Sequence, residues 1–384
     1  MRRTGTICER SPGRWLIRYS PWADPATGKR HRVNITVDGD RRAAEKELRR
    51  LLKTVDDGAH VDPARITVRG WLEQWLEAIR SEVAPKTHER YAQIVSHYLG
   101  PALGNLQLAK LAPVHIQKCY SDLAQGGRRD GKAGGLAPRT RRQVHAVLSS
   151  ALTRAVELQL LARNPAEVFK KRQPRVERHE MTTLNVDQSQ RLLASLRHSR
   201  VYWPVLLALF TGMRRGEILA LRWKNVDLQR GIVRVVESLE QTKAGLRFKP
   251  PKNGKTRSIT LPAFVGEELR RLKLEQGERL SMLGLSLDGA SLVCDRADGE
   301  PLQPRSLTHE FTVLMGRLGD LPRVRFHDLR HSHATQLLSA GVHPKIAQER
   351  LGHSTITTTM DIYSHVTEQM HEDAADKIDA AYGA

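Results

Sequence analysis

The chain has 384 residues, 62 of them Lys or Arg against 42 Asp or Glu, for a formal net charge of +20 and an isoelectric point near 10.3. With 40% hydrophobic residues it can bury cores in two or three domains, and the cation excess points to a polyanion, nucleic acid first, with a merely basic soluble enzyme as the alternative. No apolar stretch follows the basic start "MRRTGTICERSPGRW", no run approaches the ~20 apolar residues of a membrane span, and three scattered cysteines, Cys8, Cys119 and Cys294, suit a reducing cytoplasm rather than a disulfide framework or zinc ribbon.

The first sixty or so residues predict a small β-rich unit. "GRWLIRYS" (Gly13–Ser20) and "KRHRVNITV" (Lys29–Val37) alternate charges with β-branched and aromatic residues, and "SPG" and "PATG" supply turns. Asp40 can cap a following helix in which Ala44, Leu48, Leu51 and Leu52 share one face. Arg14, Arg18, Lys29, Arg30 and Arg32 on the strand pair suit a DNA groove, or equally a solvated sheet face.

From Thr67 to about Phe169 the pattern turns helical. Val68, Trp71, Trp75 and Ile79 recur at spacings of three and four, and "PKTHERYAQIVSHYLG" predicts a helix from Pro85 to Gly100. "APVHIQKCYSDLAQ" and "APRTRRQVHAVLSSALTRAVELQLL" predict two more helices across the basic loop "GGRRDGKAGG". Lys86, Arg90, Arg139, Arg141 and Arg142 stand at helix starts, where phosphates bind readily. "KKRQPRVERHEMTTL" lacks periodicity and predicts a linker. A larger, mostly helical region follows, with strands expected at "GIVRVVES", "LRFKP" and "TRSITL".

The chemistry lies in that last region. A phenol titrates near 10 and is a weak nucleophile until activated. Its attack on a phosphodiester needs cations for the developing phosphoryl charge, best supplied by guanidinium forks, and an acid for the leaving 5′ hydroxyl. "TGMRRGEILALRW" offers a Thr-Gly turn feeding a helix, with Arg214 near its start and Glu217 three residues on. "RFHDLRHSHATQLLSAG" puts His327 and Arg330 at i, i+3; "LGHSTITTTMDIYSHV" gives His353, an expected N-cap at Ser354, and Tyr363. His331 and His333 are expected to be structural or solvent-facing.

In this order and spacing, from about Leu184 onward, the chain resembles the tyrosine recombinase (phage integrase) family. The resemblance implies a mainly α fold with small β elements in a three-domain architecture. Its parts would be an arm-type DNA-binding domain with a small β-sheet plus helix (1–62), a helical core-binding domain (63–170), a linker (171–183), and a mixed α/β catalytic domain with a β-hairpin (184–384). It implies a site-specific DNA integrase of a mobile element, working through a 3′-phosphotyrosyl intermediate with no cofactor, metal or ATP. Arg214 and Arg330 would bind the scissile phosphate, His327 and His353 hydrogen-bond or move protons, Tyr363 attack, and Glu217 buttress the site. In "PPKNGKTRSITLP", Lys252 matches the family's catalytic lysine, with Lys255 as rival. Implied partners are double-stranded DNA attachment sites, a homotetrameric synapse with exchange of the tail that carries Met370, Ala374, Ile378 and Ala381, and DNA-bending or directionality proteins on a bacterial nucleoid. A type IB topoisomerase and a DNA-binding regulator without catalysis are the competing readings.

Overall fold

A computed structural model of the chain describes residues 5–20, 33–56, 66–177, 181–251 and 254–356, with positions 360, 375–376, 379 and 382. It divides into two compact units, Met1–Val176 and Glu177–Ala384.

The first unit opens with a three-stranded antiparallel sheet, β1 (Gly5–Ser11), β2 (Arg14–Tyr19) and β3 (Val33–Asp38), in the order β1-β2-β3. The register pairs Ile7 with Ile17 and Ile17 with Ile35. Ile17 and Tyr19 are buried with Leu51 of helix α1 (Arg41–Asp56), and Leu48 and Leu52 pack beside them. Asp40 caps this helix as its position predicts, accepting the Ala43 N–H at 2.8 Å. Alternation along β2 then leaves Arg14 and Arg18 exposed on the opposite face.

The same unit holds a bundle of α2 (Val68–Ala78), α3 (Pro85–Ile94), α4 (Gly100–Leu103), α5 (Pro113–Gln125) and α6 (Pro138–Glu157). Val68, Trp71, Trp75 and Ile79 all lie in its core. Trp71 donates its indole N–H to Ala151 O at 2.9 Å, so this large side chain is buried without an unmet donor. The helix expected to stop at Gly100 does not stop. It widens into a π turn at Val95–Leu99 and continues as α4, with the Gly100 N–H reaching back to Val95 O. Pro101 lacks an N–H, and the wide turn carries the chain past it without a break.

The second unit is built around α8 (Tyr202–Thr211), whose sequence YWPVLLALFT is apolar on all sides and so becomes a core helix. Around it lie α7 (Val186–Leu196), α9 (Arg215–Leu219), α10 (Ala263–Met282), α11 (Pro304–Arg317), α12 (Asp328–Ser339) and α13 (Pro344–Leu351). Asn185 and Gln188 exchange side chain-to-backbone hydrogen bonds at 2.8 and 3.0 Å, fixing the start of α7. Strands β4 (Val226–Asp227), β5 (Ile232–Val235) and β8 (Arg257–Thr260) form one sheet, and β6 (Ser238–Thr242) pairs with β7 (Gly245–Lys249) in a separate hairpin. The single strand expected over "GIVRVVES" is therefore two. Val235 pairs with Arg257 and Ser238 with Lys249, and residues 236–237 carry the chain from one sheet to the other. Among the described residues no helix is long and apolar enough to cross a membrane.

Candidate active site

The Thr-Gly turn predicted from sequence closes α8. Gly212 sits at φ +64°, and a Cβ there would stand 2.6 Å from both His333 and Leu351, so conformation and space each demand glycine. Two residues later Arg214 occupies the N-cap position of α9.

Glu217, 1% exposed, organises the start of α9. Its carboxylate accepts the Arg214 backbone N–H at 2.9 Å and Arg214 Nη1 at 2.9 Å. From β8, Arg257 donates Nη2 to Oε2 at 2.6 Å and Nη1 to Oε1 at 3.2 Å. Burial pulls the Glu217 pKa up; the bonds and charge of Arg257, then those of Arg214, more than reverse this and hold it below the ordinary value. Arg214 Nη2 also donates to Gly352 O at 3.0 Å. These contacts use two of the five guanidinium N–H groups, and the side chain is 27% exposed, so Arg214 can still offer a fork to an anion.

Arg330 on α12 is buried, and it donates to two helix ends: Nη1 to Gly212 O and Nη2 to Leu351 O at 2.7 Å. Burial, then the neighbouring Arg214, pushes its pKa down to about 9, which leaves it charged at neutral pH. The partial negative charge of helix C-termini favours a cation at this point.

Below it, His333 is buried rather than solvent-facing. Its Nδ1 lies 2.7 Å from Leu209 O, and Arg350 Nε donates to its Nε2 at 3.1 Å. Because a guanidinium can only donate, Nε2 is the acceptor and Nδ1 carries the proton, so the ring is neutral. Burial, with Arg350 beside it, pushes His333 down to about 3. Arg350 also donates to Thr260 O at 2.8 Å and Phe210 O at 2.9 Å, joining β8, α8 and α12.

His327 stands at the N-cap of α12, its ring edge-on to His331 with centroids 5.2 Å apart. Surrounding protein, then His331 and Arg330, holds His327 below its ordinary pKa, although part of the side chain still meets solvent. His331 is half-buried, with its Nδ1 enclosed and no hydrogen-bond partner among the described residues. His353 follows Gly352, the left-handed cap of α13, and burial with Arg330 and Arg214 pushes its imidazole down to about 3. At neutral pH the pocket thus holds charged arginines beside neutral histidines, a combination that can bind phosphate and exchange protons.

The structure brings together Arg214, Glu217, Arg330 and the His353 segment, with His327 at the start of the helix that carries Arg330. Lys252 and Tyr363 lie outside the described residues, as do Lys29, Arg30, Arg32, Met370, Ala374, Ile378 and Ala381; Lys255 is described and exposed. Ser354 lies in a bend, with Ile356 helical. Of the remaining candidate DNA contacts, Arg14 pairs with Asp38 at 3.0 Å and Lys86 with Glu89 at 2.9 Å, and Arg90 donates to Gln143. Arg18, Arg139 and Arg142 are exposed, and Arg141 keeps a buried Nε without a partner among the described residues.

The Phage integrase family model matches residues 182–370, and the model for the phage integrase N-terminal SAM-like domain matches residues 67–124. The chain belongs to the phage integrase family, the tyrosine recombinases. It is 25% identical to a "Tyrosine recombinase XerC-like" protein of Caldanaerobacter subterraneus subsp. tengcongensis, over 91% of this chain and 95% of that one. It is 23% identical to the ICEBs1 integrase of Bacillus subtilis (strain 168), over 96% and 97%. In fold it resembles the Tn1549 transposon integrase solved with circular intermediate DNA (TM-score 0.66, 20% identity, 81% of this chain and 99% of that chain). It also resembles lambda integrase solved as a dimer on a COC′ core site (TM-score 0.58, 19% identity, 93% of each chain).

Sequence reasoning on this integrase-family chain missed Arg257 and Arg350, while His333 takes the structural one of its two expected placements. For Arg257 a signal existed. Residues 257, 259 and 261 share one phase of β8 and its extension, and Ile259 and Leu261 are buried, so an arginine falls where an apolar residue was due.

Proposed function

We propose that this chain cuts and rejoins DNA at specific sites as an integrase of a mobile element, with Tyr363 as the nucleophile. Arg214 and Arg330 bind the scissile phosphate, Lys252 protonates the leaving 5′ oxygen, and His327 and His353, both neutral at pH 7, hydrogen-bond the phosphate or move the proton of the attacking phenol. The phenol oxygen forms a bond to phosphorus as the P–O5′ bond breaks, and the 5′ oxygen takes a proton. A 5′ hydroxyl then reverses the step on a partner strand. The ester bond is exchanged rather than hydrolysed, so resealing needs no external energy source.

The observation that supports this most is the sharing of Glu217 and the Gly352 carbonyl around Arg214, beside Arg330 and His353. Such a cluster has little use on a solvated surface, where single ion pairs contribute little. In the same reading, residues 1–62 contact arm-type sites, with Arg14 and Arg18 on the open sheet face. Residues 63–170 hold the core site, where Lys86, Arg90, Arg139, Arg141 and Arg142 meet phosphates, residues 171–183 link, and residues 184–384 carry the chemistry. Lambda integrase has been solved as a tetramer on a Holliday junction; a tetrameric synapse with exchange of the tail is proposed here by analogy.

The test is a nicked duplex carrying the element's attachment junction, quenched with SDS, comparing wild type with Tyr363→Phe in excess EDTA. A covalent adduct at the 3′ phosphate in the wild type alone is expected. An adduct that persists in Tyr363→Phe refutes the nucleophile, and one abolished by EDTA refutes the metal-free mechanism.

A further inference from the structure

Arg257 has no role in the proposed cleavage step, yet it grips the acid that organises the start of α9. Its guanidinium clamps the buried Glu217 carboxylate through two N–H groups and donates Nε to Arg350 O at 2.9 Å. It also lies against Gly352, where a Cβ would stand 3.1 Å from its Cδ and Nη1. One side chain therefore touches the acid that holds Arg214, the end of α13, and the turn that leads into His353. Its own strand, β8, begins two residues after Lys255 and, in sequence, five after Lys252.

We propose that Arg257 is a positioning residue for strand cleavage, setting the Arg214 fork through their shared Glu217 and bracing the Gly352–His353 turn from β8. The proposal rests on the reading of Arg214 as a phosphate-binding group. A guanidinium is needed because it must serve a carboxylate and a carbonyl at once, in fixed directions that an ammonium cannot reproduce. Without it, Glu217 would be a buried carboxylate bonded to Arg214 alone, with Arg330 near it, free to rotate and to draw Arg214 inward.

A purely structural ion pair predicts something different, and pH separates the two. The charged groups that face Glu217 are Arg214 at the start of α9, Arg257 from β8 and Arg330 from α12. On β6 the Glu240 carboxylate is taken by Lys249 at 2.6 Å, and on α8 and α11 no described side chain pairs with Glu217. Removing Arg257 leaves burial less opposed, so Glu217 gains a proton more readily and loosens its hold on Arg214 as pH falls.

The experiment measures adduct formation and DNA affinity of the full chain from about pH 6 to 9, for wild type, Arg257→Met, Arg257→Lys and Glu217→Gln. Arg257→Met is expected to bind DNA as wild type does but to cleave about 100-fold more slowly at pH 7, the size of loss that a ~1 Å misplacement causes. Its rate should climb toward alkaline pH, Arg257→Lys should recover part of the loss, and Glu217→Gln should be slow without that acid limb. Equal cleavage by wild type and Arg257→Met overturns the proposal. So does a joint, pH-independent loss of folding, binding and cleavage that Arg257→Lys does not rescue. A wild type that binds but never forms an adduct overturns the recombinase reading instead, and the proposal with it.

Discussion

Replacing His333 by Gln should change how stability depends on pH, by an amount that follows from its surroundings. The ring is neutral in the folded chain, held between Leu209 O and the Arg350 guanidinium, and its pKa lies at about 3. In the unfolded chain it titrates near 6.5. The folded value is depressed, so the unfolded state binds the extra proton, and stability is lost as pH falls through 6.5 toward the folded value. Between pH 7 and pH 5 the linkage amounts to about 2 kcal/mol for this one group. In a unit of this size that is a melting shift of roughly 4–8 °C. Glutamine has no proton to gain, so the variant should start less stable at pH 7, and the gap to wild type should close by about 2 kcal/mol at pH 5. Chemical denaturation at the two pH values, following the transition of the Glu177–Ala384 unit, measures this. Other histidines titrate in both proteins and cancel. A gap that stays constant from pH 7 to pH 5 refutes the neutral, donor-bound assignment of His333.

Three further outcomes are expected. Gly352→Ala, at φ +66° and against Arg257, should cost about 1–2 kcal/mol in a urea melt from the left-handed backbone alone, and a wild-type midpoint would refute the assigned turn. Trp71→Phe removes the indole donor to Ala151 O together with part of a buried ring and should destabilise the Met1–Val176 unit by about 1–3 kcal/mol, read as the shift of that unit's own transition. DNA binding should be steeply salt-dependent: engagement of about 6–10 phosphates implies a loss of about 10³–10⁵ in affinity between about 50 and 200 mM salt, whereas a flat titration contradicts a DNA clamp.

Much of this structure was legible in the residues, for reasons that differ by element. The three-and-four spacing of Val68, Trp71 and Trp75 reports burial directly, so α2 could be read. Arg214, His327, Arg330 and His353 were legible because their spacing joins three short motifs. β1 was not, since "GTICERS" is an edge strand whose side chains are mostly exposed and carries no run of apolar residues. The π turn before Pro101 was hidden because a glycine–proline pair ordinarily ends a helix, and only the reach of one N–H shows that it does not. Arg350 stayed hidden for a third reason. Its partners are backbone carbonyls and one imidazole brought from as far as 140 positions away, and no local pattern records such meetings.

The bonds of Arg330 bear on how such a protein can decay. Its side chain closes the ends of two helices at once, at Gly212 and Leu351, so it is a structural keystone apart from any role at phosphate. A descendant that had abandoned strand exchange and kept only DNA binding could not shed Arg330 without opening both helix ends. Its presence in a sequence is therefore a poor witness to living chemistry, and the partly exposed Arg214 is the better one.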